Sequence, residues 1–183
     1  GASRLASMGS YEEIADDYDE VVNNAARAQS AERFVAWLAE RGPIGSAVDA
    51  ATGTGLYARA LAATGATVLA ADISQAMIDQ AQRDPAEGIT WFCTPMQTLA
   101  DRTGEPVDAV LCMGNSLPHL LQDVDLGATL AGFRRMLAPG GASAIQLLNY
   151  DRLLAKRERI VGITRSADVE YVRFNDFLPR LVQ

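Results

Sequence analysis

Between Ala47 and Leu148, short apolar runs alternate with segments of helical period, and this alternation restricts the chain to few architectures. Ala47–Ala50, Thr67–Ala71, Ile89–Cys93, Val107–Met113 and Ala144–Leu148 read as strands. Leu56–Ala63 reads as a helix stopped by Gly65. A second helix is capped by Ser74, carries Met77, Ile78 and Ala81 inward, and ends before Asp84-Pro85. A longer one, marked by Leu126, Leu130, Phe133 and Leu137, is closed by Pro139-Gly140-Gly141. Strands separated by helices are joined by right-handed crossovers, which make a parallel sheet covered on both faces. The expectation is an α/β fold with a doubly wound, mostly parallel sheet.

The flanks differ. Ser10 followed by Glu13 is a capping-box pattern, and Tyr11, Ile14, Ala15, Tyr18 and Val22 fall on one helical face. Another helix is expected from near Ser30, with Phe34, Val35 and Leu38 inward and Gly42-Pro43 as its stop. At the other end, Ile160–Thr164 and Val169–Phe174 are strands without a helix between them, so an antiparallel hairpin is expected over 159–183. Gly1–Met8 are read as appended or disordered residues, and 9–183 as a single domain.

Composition narrows the function classes. The chain has 183 residues, 49% of them apolar, enough for one domain to bury a core without a metal or disulfide staple. The net charge is −7, and the basic runs Arg134-Arg135 and Lys156-Arg157-Glu158-Arg159 are short. Nucleic acid is therefore not an expected partner. No apolar run reaches a membrane span, and GASRLASMGS lacks the apolar core of a signal peptide. Cys93 and Cys112 have no ligand spacing; reduced thiols in a cytoplasmic protein are expected, and no metal site.

The stretch AVDAATGTGLYARAL carries the chemistry. A strand ending in Asp49 runs into the small-residue loop Ala51, Thr52, Gly53, Thr54 and Gly55, and then into a helix. Such a loop lets a ligand approach the backbone near unpaired N–H groups. Asp72 ends the next strand, which in a doubly wound sheet puts a carboxylate beside the loop, placed for ribose hydroxyls. The pair argues for a nucleoside-bearing cofactor. Gly53-x-Gly55-x-x-Ala58 also satisfies a dinucleotide fingerprint. Asp49, however, would repel a pyrophosphate and suits a cationic part such as an α-ammonium.

VDAATGTG resembles motif I of the class I S-adenosylmethionine-dependent methyltransferases, whose fold is Rossmann-like. The resemblance continues through AADISQAMIDQA, VDAVLCMGNSLPHLL and LLNYDRLL, covering roughly Tyr11–Leu154. It is closest to the glycine N-methyltransferase branch, which shares Ala at the first motif glycine (Ala51), G-N-S-x-x-H-L at Gly114–Leu120 and N-Y-D at Asn149–Asp151. The resemblance implies S-adenosylmethionine as cofactor and S-adenosylhomocysteine as product. It further implies that Asp49 and the Ala51, Gly53 and Gly55 backbone hold the methionine part, and that Asp72 holds the ribose. Ile73, Met77 and Met96 would border the adenine, with Pro95 where an acidic residue is usual. Arg27 is a further candidate for the cofactor carboxylate.

Met113, Asn115 and His119 follow the fourth strand, where the reacting centre belongs, with Met113 expected to touch the cofactor. The Asn115 amide could orient an acceptor N–H and His119 could take its proton. Tyr11 and Tyr18 on the N-terminal helix and Tyr150 at the end of the fifth strand are placed to close the pocket on the acceptor side. Leu148 stands where glycine N-methyltransferase carries an arginine for the substrate carboxylate, which points to an acceptor less anionic than glycine. The expected function is methyl transfer to a small molecule, at nitrogen. Two other readings stay open: a non-catalytic cofactor-binding fragment or assembly partner, and a nicotinamide-dependent oxidoreductase. The C-terminal part of the sheet looks shortened, which would leave the fifth strand at an edge and invite a homo-oligomer.

Overall fold

The computed structural model describes residues 24–157, 160–166 and 169–174. The expected helix over Tyr11–Val22, with Tyr11 and Tyr18, lies outside them. The first described element is α1 (Asn24–Ala39), followed by β1 (Ser46–Asp49), α2 (Leu56–Ala62), β2 (Thr67–Asp72), α3 (Gln75–Gln82) and β3 (Ile89–Cys93). A 3-10 segment (Met96–Asp101), β4 (Val107–Cys112) and a 3-10 turn (Leu117–His119) lead into α4 (Asp123–Met136) and β5 (Leu137–Ile145). Helix α5 (Tyr150–Lys156) and the strands β6 (Ile160–Ser166) and β7 (Val169–Phe174) complete the order.

Strands β1 to β5 form one parallel sheet in the order β3-β2-β1-β4-β5. The order reverses between β1 and β4, and such switch points open a crevice at the carboxyl ends of the strands. Register places Asp49 beside Ala70 of β2 and Leu111 of β4, so the ends of β1, β2 and β4 share one rim. The period-2 strand pattern sends alternate residues to opposite faces. One face joins Ala47, Val68, Ala109 and Leu111 to Val35 of α1 and Leu61 of α2. The other joins Val48, Val110 and Cys112 to Leu99, Phe133 and Met136. Strands β6 and β7 pair antiparallel as a separate hairpin, as the sequence pattern indicates.

Three local expectations are corrected. Helix α1 is already formed at Asn24, the first described residue and ahead of Ser30, because the Ala-rich segment before Ser30 has high helix propensity. Ser30 sits inside the helix and its hydroxyl donates to the Ala26 carbonyl at 2.9 Å, the back-bonded geometry of a helix-interior serine. Strand β5 begins at Leu137 and runs through Pro139-Gly140-Gly141 to Ile145, not from Ala144 to Leu148. A register shift opposite Val107 and Ala109 takes up the irregularity. An edge position tolerates a proline that has no N–H to pair. Gly141 is required there, since a Cβ would lie 3.0 Å from the Asp108 carbonyl and 3.1 Å from that of Val107. Finally, Tyr150 opens helix α5, whose start is capped by Asn149 accepting the Arg152 N–H at 2.9 Å.

Candidate functional site

The loop from Ala50 to Gly55 is built by backbone hydrogen bonds to both neighbouring strands. The Ala50 N–H donates to the Leu111 carbonyl at 2.8 Å and the Thr52 N–H to the Ala71 carbonyl at 2.9 Å. Two glycines make its turns, with φ of +54° at Gly53 and +90° at Gly55, a region costly for residues with a Cβ. They differ in surroundings. A Cβ on Gly55 would stand 2.5 Å from the Trp91 ring, so this position is closed by packing. A Cβ on Gly53 would meet no atom of the chain within 4 Å, because Gly53 borders an open cleft.

That cleft has a volume of about 260 Å³. The loop lines it through Ala51, Thr52, Gly53 and Thr54, and the end of β2 through Asp72 and Ile73. Met77 of α3 and Met96 close one side; Met113, Gly114 and His119 close the other. Asp72 is rigidly held: Oδ2 accepts the Gly53 N–H at 2.8 Å and Oδ1 the Ser74 N–H at 3.0 Å. Each carboxylate oxygen has a further lone pair for a ligand hydroxyl. The Ser74 hydroxyl in turn accepts the Met77 N–H at 3.3 Å and caps α3.

Asp49 lies behind the loop and is 1% exposed. Its Oδ2 accepts the Thr52 hydroxyl at 2.7 Å, while Oδ1 is buried with no hydrogen-bond partner. Burial raises its pKa from 3.8 to about 7; the Thr52 hydroxyl opposes this, the neighbouring Asp72 charge adds to it, and the Ala58 N–H opposes it. A buried, unpartnered carboxylate oxygen calls for a cationic or N–H-bearing group. An ammonium-bearing nucleoside fits this donor set: a carboxylate for the cation, a held carboxylate for sugar hydroxyls, an open backbone turn and an apolar wall. Ile73 supports the apolar wall, since its side chain is 72% exposed and so does not belong to the core.

Seven of the residues predicted from the sequence to touch the cofactor therefore line the cleft: Ala51, Gly53, Asp72, Ile73, Met77, Met96 and Met113. His119, expected at the reacting centre, lines it as well. Gly55 is packed beneath Trp91, and Asp49 sits behind Thr52. Asn115 and Tyr150 are brought together with each other and are not among the lining residues. The Asn115 amide nitrogen donates to the Tyr150 hydroxyl at 2.8 Å, and its oxygen accepts the Leu148 N–H at 2.9 Å. The Asn115 oxygen expected to orient an acceptor is thus engaged within the chain.

Sequence reasoning missed Tyr57 and Gln97, which also line the cleft; Arg27, the candidate for the cofactor carboxylate, lines it too. Tyr57 is the second residue of α2; burial pushes its phenol pKa up, and the Arg27 charge opposes that shift. Arg27 stands opposite the strand ends, its Nη2 3.5 Å from the point where a Gly114 Cβ would be. Tyr57 enters as the second residue of α2, directly after the loop, and Arg27 through the packing of α1 on α2.

Comparisons with known proteins agree with this geometry. Residues 47–141 match the family described as "Methyltransferase domain". The glycine/sarcosine N-methyltransferase of Parasynechococcus marenigrum is 33% identical over 147 residues, covering 78% of this chain and 52% of that protein. The glycine/sarcosine N-methyltransferase of Aphanothece halophytica is 32% identical over 147 residues, covering 78% and 55%. The chain thus spans about half the length of these relatives. An S-adenosylmethionine-dependent methyltransferase from Clostridium acetobutylicum shares the fold with a TM-score of 0.69 at 15% identity, covering 94% of this chain and 84% of that one.

Proposed function

Because the chain belongs to the class I S-adenosylmethionine-dependent methyltransferase family, we propose that it transfers a methyl group to a small-molecule acceptor, at nitrogen. The observation that carries the reading is Asp72, a carboxylate on the cleft wall with each oxygen pinned by a backbone N–H. Held that way, it accepts two ribose hydroxyls in charge-assisted hydrogen bonds without reorganising. The relatives named for glycine and sarcosine N-methylation support nitrogen as the acceptor atom.

When bound, S-adenosylmethionine supplies a methyl group already activated on a sulfonium. The protein's part is to hold the partners in line and exclude water, which contributes on the order of 7–11 kcal/mol. Asp49, buried behind Thr52, sets an acidic group beneath the loop for the α-ammonium, and Arg27 on the cleft wall is the cation for the carboxylate. Ile73, Met77 and Met96 form the wall for the base. His119 and Met113 line the cleft, and in this reading His119 takes the proton an ammonium acceptor must lose. Leu148 in place of a cation favours an acceptor less anionic than glycine. Domain limits of 9–183, a cytoplasmic location suggested by the free Cys93 and Cys112, and an absence of nucleic-acid partners suggested by the −7 charge belong to the same proposal. So does self-association through β5, which pairs with β4 alone among the described strands. No described helix is long and apolar enough to cross a membrane.

Parallel calorimetric titrations with S-adenosylhomocysteine and NAD test the cofactor. Saturable binding of the first and none of the second is expected; the reverse would restore the oxidoreductase reading. Product formation across a panel of amines, acids and phenols then tests transfer. Binding with no product anywhere in the panel would favour a non-catalytic module.

A further inference from the structure

The end of β4 and the segment after β5 are joined by hydrogen bonds that the proposed reaction does not use. The Gly114 N–H donates to the Gln146 side-chain oxygen at 3.0 Å, and the Asn115 N–H to the Gln146 carbonyl at 3.2 Å. The Gln146 N–H returns to the Cys112 carbonyl at 3.0 Å. The Tyr150 hydroxyl accepts from the Asn115 amide nitrogen at 2.8 Å and donates to its oxygen at 3.2 Å, so phenol and carboxamide are paired in both directions. That oxygen also takes the Leu148 N–H at 2.9 Å.

What this bracket holds is a left-handed turn. Gly114 has φ +73° and Asn115 +66°, so the left-handed region is occupied twice in succession, once by a residue with a Cβ. Glycine enters that region freely and asparagine more readily than other residues with a Cβ, so Gly114 and Asn115 suit the turn and the bracket fixes its place. Met113 and Gly114 before Asn115, and Ser116 and His119 after it, all line the cleft. Asn115 is therefore the pivot from which this wall is hung.

We infer that Tyr150 and Gln146 are positioning residues that hold the Gly114–Asn115 turn and, through it, the wall formed by Met113, Ser116 and His119. The inference rests on the cofactor reading above. Tyr150 acts from a fixed place, because Asn149 caps α5 one residue before it.

The test uses the full chain with S-adenosylhomocysteine as probe, read by calorimetry beside a thermal melt. Tyr150→Phe keeps the ring and removes both phenol bonds; it should weaken the probe on the order of 5-fold with a melt close to wild type. Gln146→Ala should weaken it similarly, and Gln146→Glu, which keeps an acceptor for the Gly114 N–H, should restore most of the loss. In an Asn115→Gly background, where glycine enters the turn freely and the carboxamide is gone, Tyr150→Phe should add nothing. A structural role alone would lower the melt and leave affinity unchanged. Wild-type affinity in both Tyr150→Phe and Gln146→Ala, or additive losses in the double variant, would overturn the inference while leaving the cofactor reading intact. If Tyr150→Phe does not fold, the two Gln146 variants decide. A wild-type chain that ignores the probe would overturn both.

Discussion

The carboxylate of Asp72 accepts the backbone N–H of Gly53 at 2.8 Å across 19 residues of sequence. The end of β2 and the loop leaving β1 are thereby one rigid unit before any ligand arrives. The side chain proposed to grip a ribose also sets the turn against which the rest of the cofactor would lie.

Replacing Asp72 should therefore cost more than its ligand contacts alone. Asp72→Ala is expected to weaken S-adenosylhomocysteine by at least about 2 kcal/mol, roughly 30-fold, through lost charge-assisted bonds and a loosened Gly53. Asp72→Asn, which keeps one acceptor, should fall between. Calorimetric affinities equal to wild type for both would remove Asp72 from the site.

Asp49 makes both stability and binding depend on pH. Its pKa is about 7 in the folded chain, against an ordinary 3.8. Between those values the folded state holds a proton that the unfolded state has lost, so stability contributed at this site falls as pH rises through the window and levels off above it. Asp49→Asn should flatten that part of a urea-unfolding pH profile. A ligand cation seated on the loop above Asp49 favours the ionised carboxylate, so S-adenosylhomocysteine binding near pH 6 should release a proton. Titrations in buffers of different ionisation enthalpy read that proton directly, and Asp49→Asn should abolish it.

The two loop glycines should fail differently. Gly55→Ala drives a Cβ to 2.5 Å from Trp91 at φ +90°, so a stability loss of about 1–3 kcal/mol is expected in thermal melts. Gly53→Ala meets no neighbour, so its stability cost is about 1 kcal/mol from backbone strain. Its Cβ borders the cleft, and S-adenosylhomocysteine affinity should drop far more than the melt.

Ile73 and Met77 separate wall from core. Ile73 is 72% exposed and Met77 1% exposed, though both line the cleft. Ile73→Ser should leave stability within about 0.5 kcal/mol of wild type. It should weaken the ligand by about 1 kcal/mol through lost apolar contact. Met77→Ala should cost about 2–5 kcal/mol of stability. A large melt shift in Ile73→Ser would place that side chain in the core instead.

Much of this protein was legible in its residues. The strand–helix alternation, the Ser74 cap, the small-residue loop and the acidic residues closing β1 and β2 are local signals, each spanning a few positions. Local spacing decides which face of an element is apolar and where a helix starts, and the parallel sheet follows from those. The resemblance to a methyltransferase family rested on the same short motifs. What the sequence did not disclose depends on which distant segments meet. Strand β5 takes its start from its register against β4, so Pro139-Gly140-Gly141 became strand rather than helix end. Asn115 and Tyr150, 35 residues apart, are hydrogen-bonded to each other. Arg27 joins the cleft through the packing of α1 on α2. The basicity of Asp49 is likewise a tertiary property, since a carboxylate's desolvation is set by everything folded around it and by nothing in its neighbours along the chain.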